Sequence, residues 1–331
     1  FALPWVEYFS DAFMRKVFQL TQRFVKPDAV VIAGDMFDGA RYISRKSYRN
    51  SLKRFNWIFE RNKNLALYNL SGNHDIGWGQ ENSKRQPEYV ESFRKHFGKL
   101  NYRVEIGGFE WVFIASCLAT GGPTSNAKLH DETMQFIHTM RNTPALKPRI
   151  LMTHVPLYRQ PGTPCGSLRS SSRVIEPGSG KDYINVLPIR LSAAILQAIK
   201  PVAVFSGDDH DQCVVSHQFG SDKELVKEQT VGTFSWLQGN IYPSFAIVLL
   251  EHDSINSRSS LETRVCFLPP QLSIYAWYFR VAVLSILIVF AMASTSNNIT
   301  FLQLLLKRRS QLSFAIPTLC KIASFLTIFL F

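Results

Sequence analysis

In the stretch AVVIAGDMFD, residues 29–38, a short apolar run ends at a glycine and two aspartates follow. Three later stretches repeat this order, with an apolar run first and polar residues directly after it. They are LALYNLSGNHD (65–75), RILMTH (149–154) and VAVFSGDDHD (202–211). Ligands of open α/β sheets bind beyond the carboxyl ends of the strands. The four stretches therefore predict that their polar ends meet in one crevice.

Residues 1 to about 270 predict a layered α/β domain in which helices and short apolar strands alternate, with antiparallel strands near the end. Helices are expected at Val6–Phe24, Arg49–Arg61, Pro87–Phe97, Asp131–Arg141 and Pro188–Ile199. Strands are expected at Ala29–Ala33, Leu65–Leu70, Tyr102–Ile106, Phe109–Ala115, Arg149–Thr153, Val202–Ser206, Gln229–Phe234, Ser244–Leu250 and Thr263–Leu268. A loop rich in Pro, Gly and Ser, Pro156–Gly180, interrupts this order.

Composition excludes several classes of protein. The 331 residues are 46% hydrophobic and 19% charged, which excludes a disordered chain. The net charge of +12 suits an anionic substrate or a membrane surface. Basic residues do not form a run interleaved with aromatic ones, so nucleic acid is not expected as a partner.

The five cysteines include no CxxC pair, so a zinc-ribbon site is not supported. In an oxidising compartment, the four cysteines that precede the C-terminal apolar region allow three pairings. Cys165 lies in the Pro/Gly loop and is the better candidate for a disulfide. Cys117 lies in an apolar run and is expected to be a buried thiol.

Residues 271–331 predict a membrane anchor. Ile274–Ser294 is an apolar stretch with one charge, Arg280, and is long enough to span a hydrocarbon core of about 30 Å. Leu312–Phe331 is a candidate for a second span. The basic triplet 307–309 between them places that side in the cytoplasm, and hence the α/β domain in a lumen. A buried core helix is the alternative for the first stretch.

The polar ends of the four stretches combine carboxylate, amide oxygen and imidazole groups, which suit Mn²⁺, Fe or Zn²⁺. Each segment alone has an ordinary explanation, such as a helix N-cap or an acidic turn. Their succession, each after an expected strand, favours a metal site.

These motifs resemble those of the calcineurin-like metallophosphoesterases, which run D-x-H or D-P-Q, then G-D-x-x-D, G-N-H-D/E, H and G-H-x-H. Asn73–Gly77, His154–Arg159, Cys165-Gly166 and Ser206–Asp211 are similar to one group in particular, that of cell division control protein 1 and metallophosphoesterase-1. This resemblance implies a membrane-anchored enzyme of the endoplasmic reticulum or Golgi, with a lumenal catalytic domain. Its implied substrate is the ethanolamine phosphate on the mannose of GPI anchors.

The resemblance also implies two divalent metal ions, with Mn²⁺ favoured over Fe or Zn²⁺, and a metal-bound hydroxide that attacks the phosphodiester. Asp35 would bridge the two ions. The other implied ligands are Asn73, His154 and Asp208 on one ion and His210 on the other. His74, held by Asp75, would contact the phosphoryl oxygen or protonate the leaving group, and Asp38 would orient a ligand.

Two departures from the family pattern stand out. Asp208 occupies the place of the first His in G-H-x-H, where an oxygen ligand can still serve. No D-x-H or D-P-Q precedes Asp35, since Asp11 is followed by Ala and Phe within an expected helix. We expect that motif to lie upstream of Phe1. The alternatives are a catalytically inactive, membrane-anchored trafficking or scaffold protein, and a phosphatase or phosphodiesterase with another substrate.

The loop Pro156–Gly180 follows directly on His154 and is expected to lie over the metal ions. Tyr158 and Arg159 are the candidate substrate contacts, because the planar fork of an Arg can grip a phosphate at two points. A solvated surface loop is the alternative.

Overall fold

The computed structural model describes residues 4–37, 45–79, 84–122, 125–220, 223–253 and 258–295. The chain divides into two compact units, Phe1–Leu268 and Pro269–Phe331. Asp38, the basic triplet 307–309 and the apolar stretch 312–331 lie outside the described residues.

Helices and strands alternate through the first unit. The helices are α1 (Pro4–Phe24), α2 (Arg45–Ile58), α3 (Asn73–Ile76), α4 (Gln86–Phe97), α5 (Ser116–Ala119), α6 (Ala127–Asn142) and α7 (Ile189–Ile199). The strands are β1 (Ala29–Ile32), β2 (Ala66–Asn69), β3 (Tyr102–Ile106), β4 (Phe109–Ile114), β5 (Arg149–Thr153), β6 (Ala203–Ser206), β7 (Cys213–Phe219), β8 (Glu224–Thr230), β9 (Ser244–Asp253) and β10 (Arg258–Phe267).

The main sheet has six strands in the order β3-β4-β5-β6-β8-β7. Its four central strands are parallel, and the strand at each edge is antiparallel to its neighbour. β1 and β2 form a separate parallel pair, and β9 and β10 form an antiparallel pair. The carboxyl ends of β5 and β6 therefore lie side by side in the middle of the main sheet.

The alternation of side chains along β4 shows how the layers pack. Phe109, Trp111 and Phe113 point into a core shared with apolar residues of β1, β2, β9 and β10. Val112 and Ile114 point the other way, into a core shared with helices α4 to α7. The main sheet is thus covered on one face by a second layer of strands and on the other by helices. This explains why β4 is apolar along almost its whole length.

Helices α1 and α2 contact each other on the far side of the β1–β2 pair. Phe55 of α2 packs with Phe37 and with Ile32 of β1. Asp11 of α1 is buried and accepts two hydrogen bonds from Arg54 of α2, at 2.8 and 3.0 Å. The Asp11 carboxylate therefore joins these two helices.

The predicted mixed α/β fold is confirmed, with two differences in the second half of the main sheet. β7 was not predicted, and β8 begins at Glu224 rather than at the expected Gln229. β7 carries Ser216, His217 and Gln218 in succession, because an edge strand needs little apolar surface. Its composition therefore resembles that of a loop.

The second unit contains α8 (Gln271–Thr295). Its segment Gln271–Ala291 has a mean hydropathy of 2.0 and is long and apolar enough to cross a membrane. The predicted span Ile274–Ser294 falls within this helix.

A disulfide between Cys165 and Cys213 joins the connection between β5 and α7, called here the 156–188 loop, to the start of β7. The sequence favours Cys165 as a disulfide cysteine but does not identify the cysteine with which it pairs. Cys117 is a fully buried free thiol, as predicted, and Cys266 on β10 is free and half-buried. The bond closes a sequence separation of 48 residues, so it restricts the unfolded chain considerably.

We predict that replacing both Cys165 and Cys213 by Ala lowers the free energy of unfolding by about 2–4 kcal/mol. Reduction of the native protein by dithiothreitol should have a similar effect. Denaturant unfolding followed by circular dichroism measures both. Cys266→Ala is the matched control and should leave the midpoint unchanged. Equal midpoints for the double variant and the control would contradict the assignment.

Candidate metal centre

Four polar side chains meet where β1, β2, β5 and β6 end. Asp35 follows β1, Asn73 begins α3 after β2, His154 follows β5 directly, and Asp208 lies two residues beyond β6. One ligand atom from each of Asp35, His154 and Asp208 lies within 4.8 Å of the others. The two strand layers thus bring their carboxyl ends to one place, as the sequence predicts.

His154 is the centre of this cluster. Its Nδ1 lies 2.7 Å from the carbonyl oxygen of Ala33, which can only accept, so Nδ1 carries the proton of that bond. Its Nε2 therefore faces the other groups. It lies 3.3 Å from the amide oxygen of Asn73 and 3.4 Å from a carboxylate oxygen of each of Asp35 and Asp208.

This arrangement fits a cation. An Nε2 lone pair facing two carboxylates and an amide oxygen is repelled by all of them unless a proton or metal ion lies between. The donor set of one imidazole nitrogen and three oxygens suits a divalent transition metal. The bond from Nδ1 to Ala33 fixes the tautomer and ring orientation that a ligating His requires.

The charges in the cluster shift each other's protonation in the metal-free chain. Burial alone would lower the pKa of His154, but Asp35 and Asp208 raise it well above its usual value. Burial alone would raise the pKa of Asp35, but His154 lowers it to about 2. A proton therefore competes with a metal ion for the Nε2 position.

Two glycines allow the close approach of the motif loops. A Cβ on Gly72 would lie 1.9 Å from Oδ1 of Asp35, and one on Gly34 would lie 2.3 Å from Nδ1 of His154. Asp35 and Asp208 themselves adopt left-handed backbone conformations, with φ of 53° and 66°. Such conformations are costly for residues other than glycine and persist where the surrounding structure fixes them, often at functional sites.

The short helix α3 carries the predicted catalytic pair. The backbone N–H of His74 donates to Oδ1 of Asp35 over 3.1 Å, and the His74 side chain is half-buried. The buried carboxylate of Asp75 accepts from the backbone N–H groups of Gly72, at 2.9 Å, and Phe37, at 3.3 Å. Asp75 therefore ties the two motif loops together. The catalytic role of either side chain stays a prediction.

His210 lies on the loop that joins β6 to β7, called here the metal loop (residues 207–212). Its carbonyl oxygen accepts from the backbone N–H of Thr233 and the amide of Asn240, both at 2.9 Å. Among the described residues, its imidazole is not part of the cluster of Asp35, His154 and Asp208. Its binding to a second metal ion stays a prediction, as does the role of Asp38.

The 156–188 loop is joined to the metal loop in two places and to the residue directly after it in a third. Arg169 forms an ion pair with Asp209, and Asp211 accepts from the backbone N–H groups of Ser170 and Ser171, at 3.1 and 2.8 Å. The Cys165–Cys213 disulfide is the third link. The expectation that this loop lies beside the metal ligands is consistent with these contacts. The ion pair could not be predicted from the sequence, because its partners lie 40 positions apart.

The prediction that Arg159 binds substrate phosphate is wrong. Arg159 is 3% exposed, and its guanidinium pairs with the fully buried Glu228 at 3.0 Å. A guanidinium with this partner and this burial is not offered to a substrate. Tyr158 is half-buried and packs against the cluster around the disulfide. Its contact with substrate stays a prediction.

We predict that His154→Ala and Asp208→Asn each weaken Mn²⁺ binding by more than about 100-fold. Mutation of a residue that only supports a metal ligand already lowers metal affinity by about 10- to 100-fold, and loss of a ligand should lower it further. Isothermal titration calorimetry measures the affinity. His138→Ala and Asp131→Asn, at exposed positions on α6, are the matched controls and should bind Mn²⁺ as the native chain does. Binding by all four variants alike would rule out this site.

The same titration has a predicted pH dependence. Because the pKa of His154 is raised, its Nε2 keeps a proton up to a higher pH than usual and releases it when Mn²⁺ binds. Apparent affinity should therefore rise as pH rises towards and through that pKa. Proton release shows as a binding enthalpy that depends on the ionisation enthalpy of the buffer. An affinity independent of pH would contradict this assignment.

The chain is similar to known phosphoesterases over most of its length. Residues 8–212 match the family model described as calcineurin-like phosphoesterase. Cell division control protein 1 of Saccharomyces cerevisiae is 29% identical over 82% of this chain, and Metallophosphoesterase 1 of Danio rerio is 26% identical over 80%. Metallophosphoesterase 1 of Gallus gallus is 27% identical over 84%.

The matched region covers 58% of the yeast protein, 70% of the zebrafish protein and 71% of the chicken protein. The family match includes Asp35, Asn73, His154 and Asp208, the four residues that converge in the structure. On this match, the chain belongs to the calcineurin-like phosphoesterase family, whose members are hydrolases of phosphoric esters.

Proposed function

We propose that this chain is the catalytic and anchoring part of a membrane-bound metallophosphoesterase of the early secretory pathway. Its proposed substrate is the ethanolamine phosphate that is esterified to mannose in GPI anchors. Its proposed cofactors are two divalent metal ions, with Mn²⁺ favoured and Fe or Zn²⁺ as alternatives. Its location would be the endoplasmic reticulum or Golgi membrane, with the catalytic domain in the lumen.

One observation carries the proposed activity. The His154 Nε2 faces oxygens of Asn73, Asp35 and Asp208 at 3.3–3.4 Å, an arrangement that a proton or a divalent metal ion between them stabilises. When bound there, divalent ions would supply Lewis acidity and a water of lowered pKa for attack on phosphorus.

The chain's own groups have distinct proposed roles in that reaction. His154, Asp208 and Asn73 would hold one ion, and Asp35 would reach the second. An imidazole N–H of His74 would hydrogen-bond a phosphoryl oxygen or give its proton to the departing alkoxide. Asp75, which joins the two motif loops, would hold His74 and Asp35 in a fixed position relative to each other.

The Cys165–Cys213 disulfide supports the lumenal location. Disulfides persist in oxidising compartments and are rare in the cytosol. This bond also lies next to the metal loop, so its loss would disturb the site.

The alternative is an inactive membrane-anchored scaffold, which an upstream sequence without D-x-H or D-P-Q would favour. The converged ligand cluster favours the enzyme, because a scaffold has no need of buried carboxylates around an imidazole. A phosphatase or phosphodiesterase with another substrate is equally compatible with the cluster, since fold and metal site do not select the substrate.

A substrate panel tests the proposal. The Mn²⁺-loaded protein is incubated with a GPI glycan that carries ethanolamine phosphate, with phosphopeptides and with phospholipids. We expect release of ethanolamine phosphate from the glycan by mass spectrometry, and little turnover of the other two. Turnover of phosphopeptides or phospholipids alone would contradict the substrate, and turnover of none would favour the scaffold.

Two variants separate catalysis from metal binding in that panel. His154→Ala should lose both the metal and the activity. His74→Asn should keep its metal content while turnover falls by about 10²- to 10⁴-fold, the usual contribution of a general acid. His138→Ala is the control for loss of an imidazole. Full activity of His74→Asn would remove His74 from the reaction.

A further inference from the structure

Glu228 is a charged side chain in the middle of the protein that the proposed reaction does not use. It lies on β8, in the main sheet, and is fully buried. Its Oε1 accepts from the backbone N–H of Leu157 at 3.0 Å and from the hydroxyl of Ser206 at 2.7 Å. Its Oε2 accepts from Arg159 at 3.0 Å and from His217 at 2.6 Å.

Each donor to Glu228 belongs to a segment that leads to the metal centre. Leu157 lies three residues after His154, and Ser206 lies two residues before Asp208. Arg159 also donates to the sulfur of Cys213, at 3.0 Å, which is the residue directly after the metal loop. One carboxylate thus joins the chain beyond β5, the end of β6 and, through Arg159, the start of β7.

The bond between the ends of β5 and β6 completes this arrangement. The backbone N–H of Gly207 donates to the carbonyl of His154 over 2.9 Å, directly before Asp208. His154 and Asp208 are therefore held between a backbone bond at the site and the Glu228 carboxylate behind it. A shift of either segment would change the 3.4 Å separation between Nε2 of His154 and Oδ1 of Asp208.

Stabilisation of the fold does not by itself explain a buried carboxylate such as that of Glu228. Burying a carboxylate and a guanidinium costs several kcal/mol of desolvation, and well-packed apolar residues often serve a fold as well or better. Placement of metal ligands needs closer tolerances, of the order of 0.5 Å. A carboxylate that accepts four directed hydrogen bonds can fix positions to that degree, whereas apolar packing is less directional.

We propose that Glu228 is a positioning residue of the metal centre, which sets the distance between His154 and Asp208 without touching either. This inference depends on the metal site of the proposed function, but it does not depend on the substrate. Mn²⁺ binding by the native chain tests the site first. A failure of the proposed substrate would leave the inference about Glu228 intact.

The test compares Glu228→Gln with a matched variant of Glu110, on β4 beside the start of β5. Glutamine keeps the shape but has only one acceptor oxygen. Its NH₂ group must therefore face either the donors Arg159 and His217 or the backbone N–H of Leu157 and the hydroxyl of Ser206. Glu110→Gln is the control, because Glu110 pairs with the buried Arg149 at 2.6 Å, at the start of β5. Both variants remove the carboxylate partner of a buried Arg.

We expect both variants to lower the melting temperature of the metal-free protein. Only Glu228→Gln should weaken Mn²⁺ binding in calorimetry, by about 10- to 100-fold, as for residues that support metal ligands elsewhere. At saturating Co²⁺, its visible d–d spectrum should also differ from that of the native chain. The control should keep both the native affinity and the native spectrum.

Ser206→Ala keeps the test decisive if Glu228→Gln does not fold. This variant removes one donor to Glu228 and leaves no buried charge unpaired, so it should fold and weaken Mn²⁺ binding to a smaller degree. Native affinity and a native Co²⁺ spectrum in Glu228→Gln would overturn the proposal, and so would native values in Ser206→Ala where Glu228→Gln is unfolded. Glu228 would then serve the fold alone.

Discussion

The rest of the site depends on the hydrogen bond from Nδ1 of His154 to the carbonyl of Ala33, which is 2.7 Å long. This bond crosses from the main sheet to the β1–β2 pair, so it joins the two strand layers at their carboxyl ends. It also directs Nε2 towards Asp35, Asn73 and Asp208. Because Gly34 has no Cβ, the imidazole can lie against the backbone of the β1 loop.

This convergence requires strained backbone and buried charge, both of which cost free energy. Asp35, Asp208 and His210 have left-handed backbone conformations, which the surrounding contacts hold in place. The disulfide and Arg169 fix the metal loop from the 156–188 loop, while Glu228 lies behind it on β8. A loop held from two sides would need little reorganisation if an ion bound to Asp208, which would favour affinity.

The sequence was sufficient for the features that are local in the chain. Apolar runs that end at Gly-Asp, Gly-Asn-His or His predicted both the strands and the converging ligands, because a strand's end and the residues after it are neighbours in sequence. The partner of Arg159 could not be predicted in this way, since Glu228 lies 69 positions away. One signal was present: Glu228 occupies an inward position between Val226 and Thr230, where a charge needs a buried partner.

We propose that Asp35, Asn73, His154 and Asp208 hold a divalent metal ion. Anomalous X-ray diffraction from crystals of the protein grown with Mn²⁺ can locate that ion. We expect an anomalous peak at about 2.0–2.2 Å, a usual metal–ligand distance, from Nε2 of His154, with oxygens of the other three residues around it. A peak elsewhere, or none at this position in crystals with ordered His154 and Asp208 side chains, would show that these residues do not form the metal site.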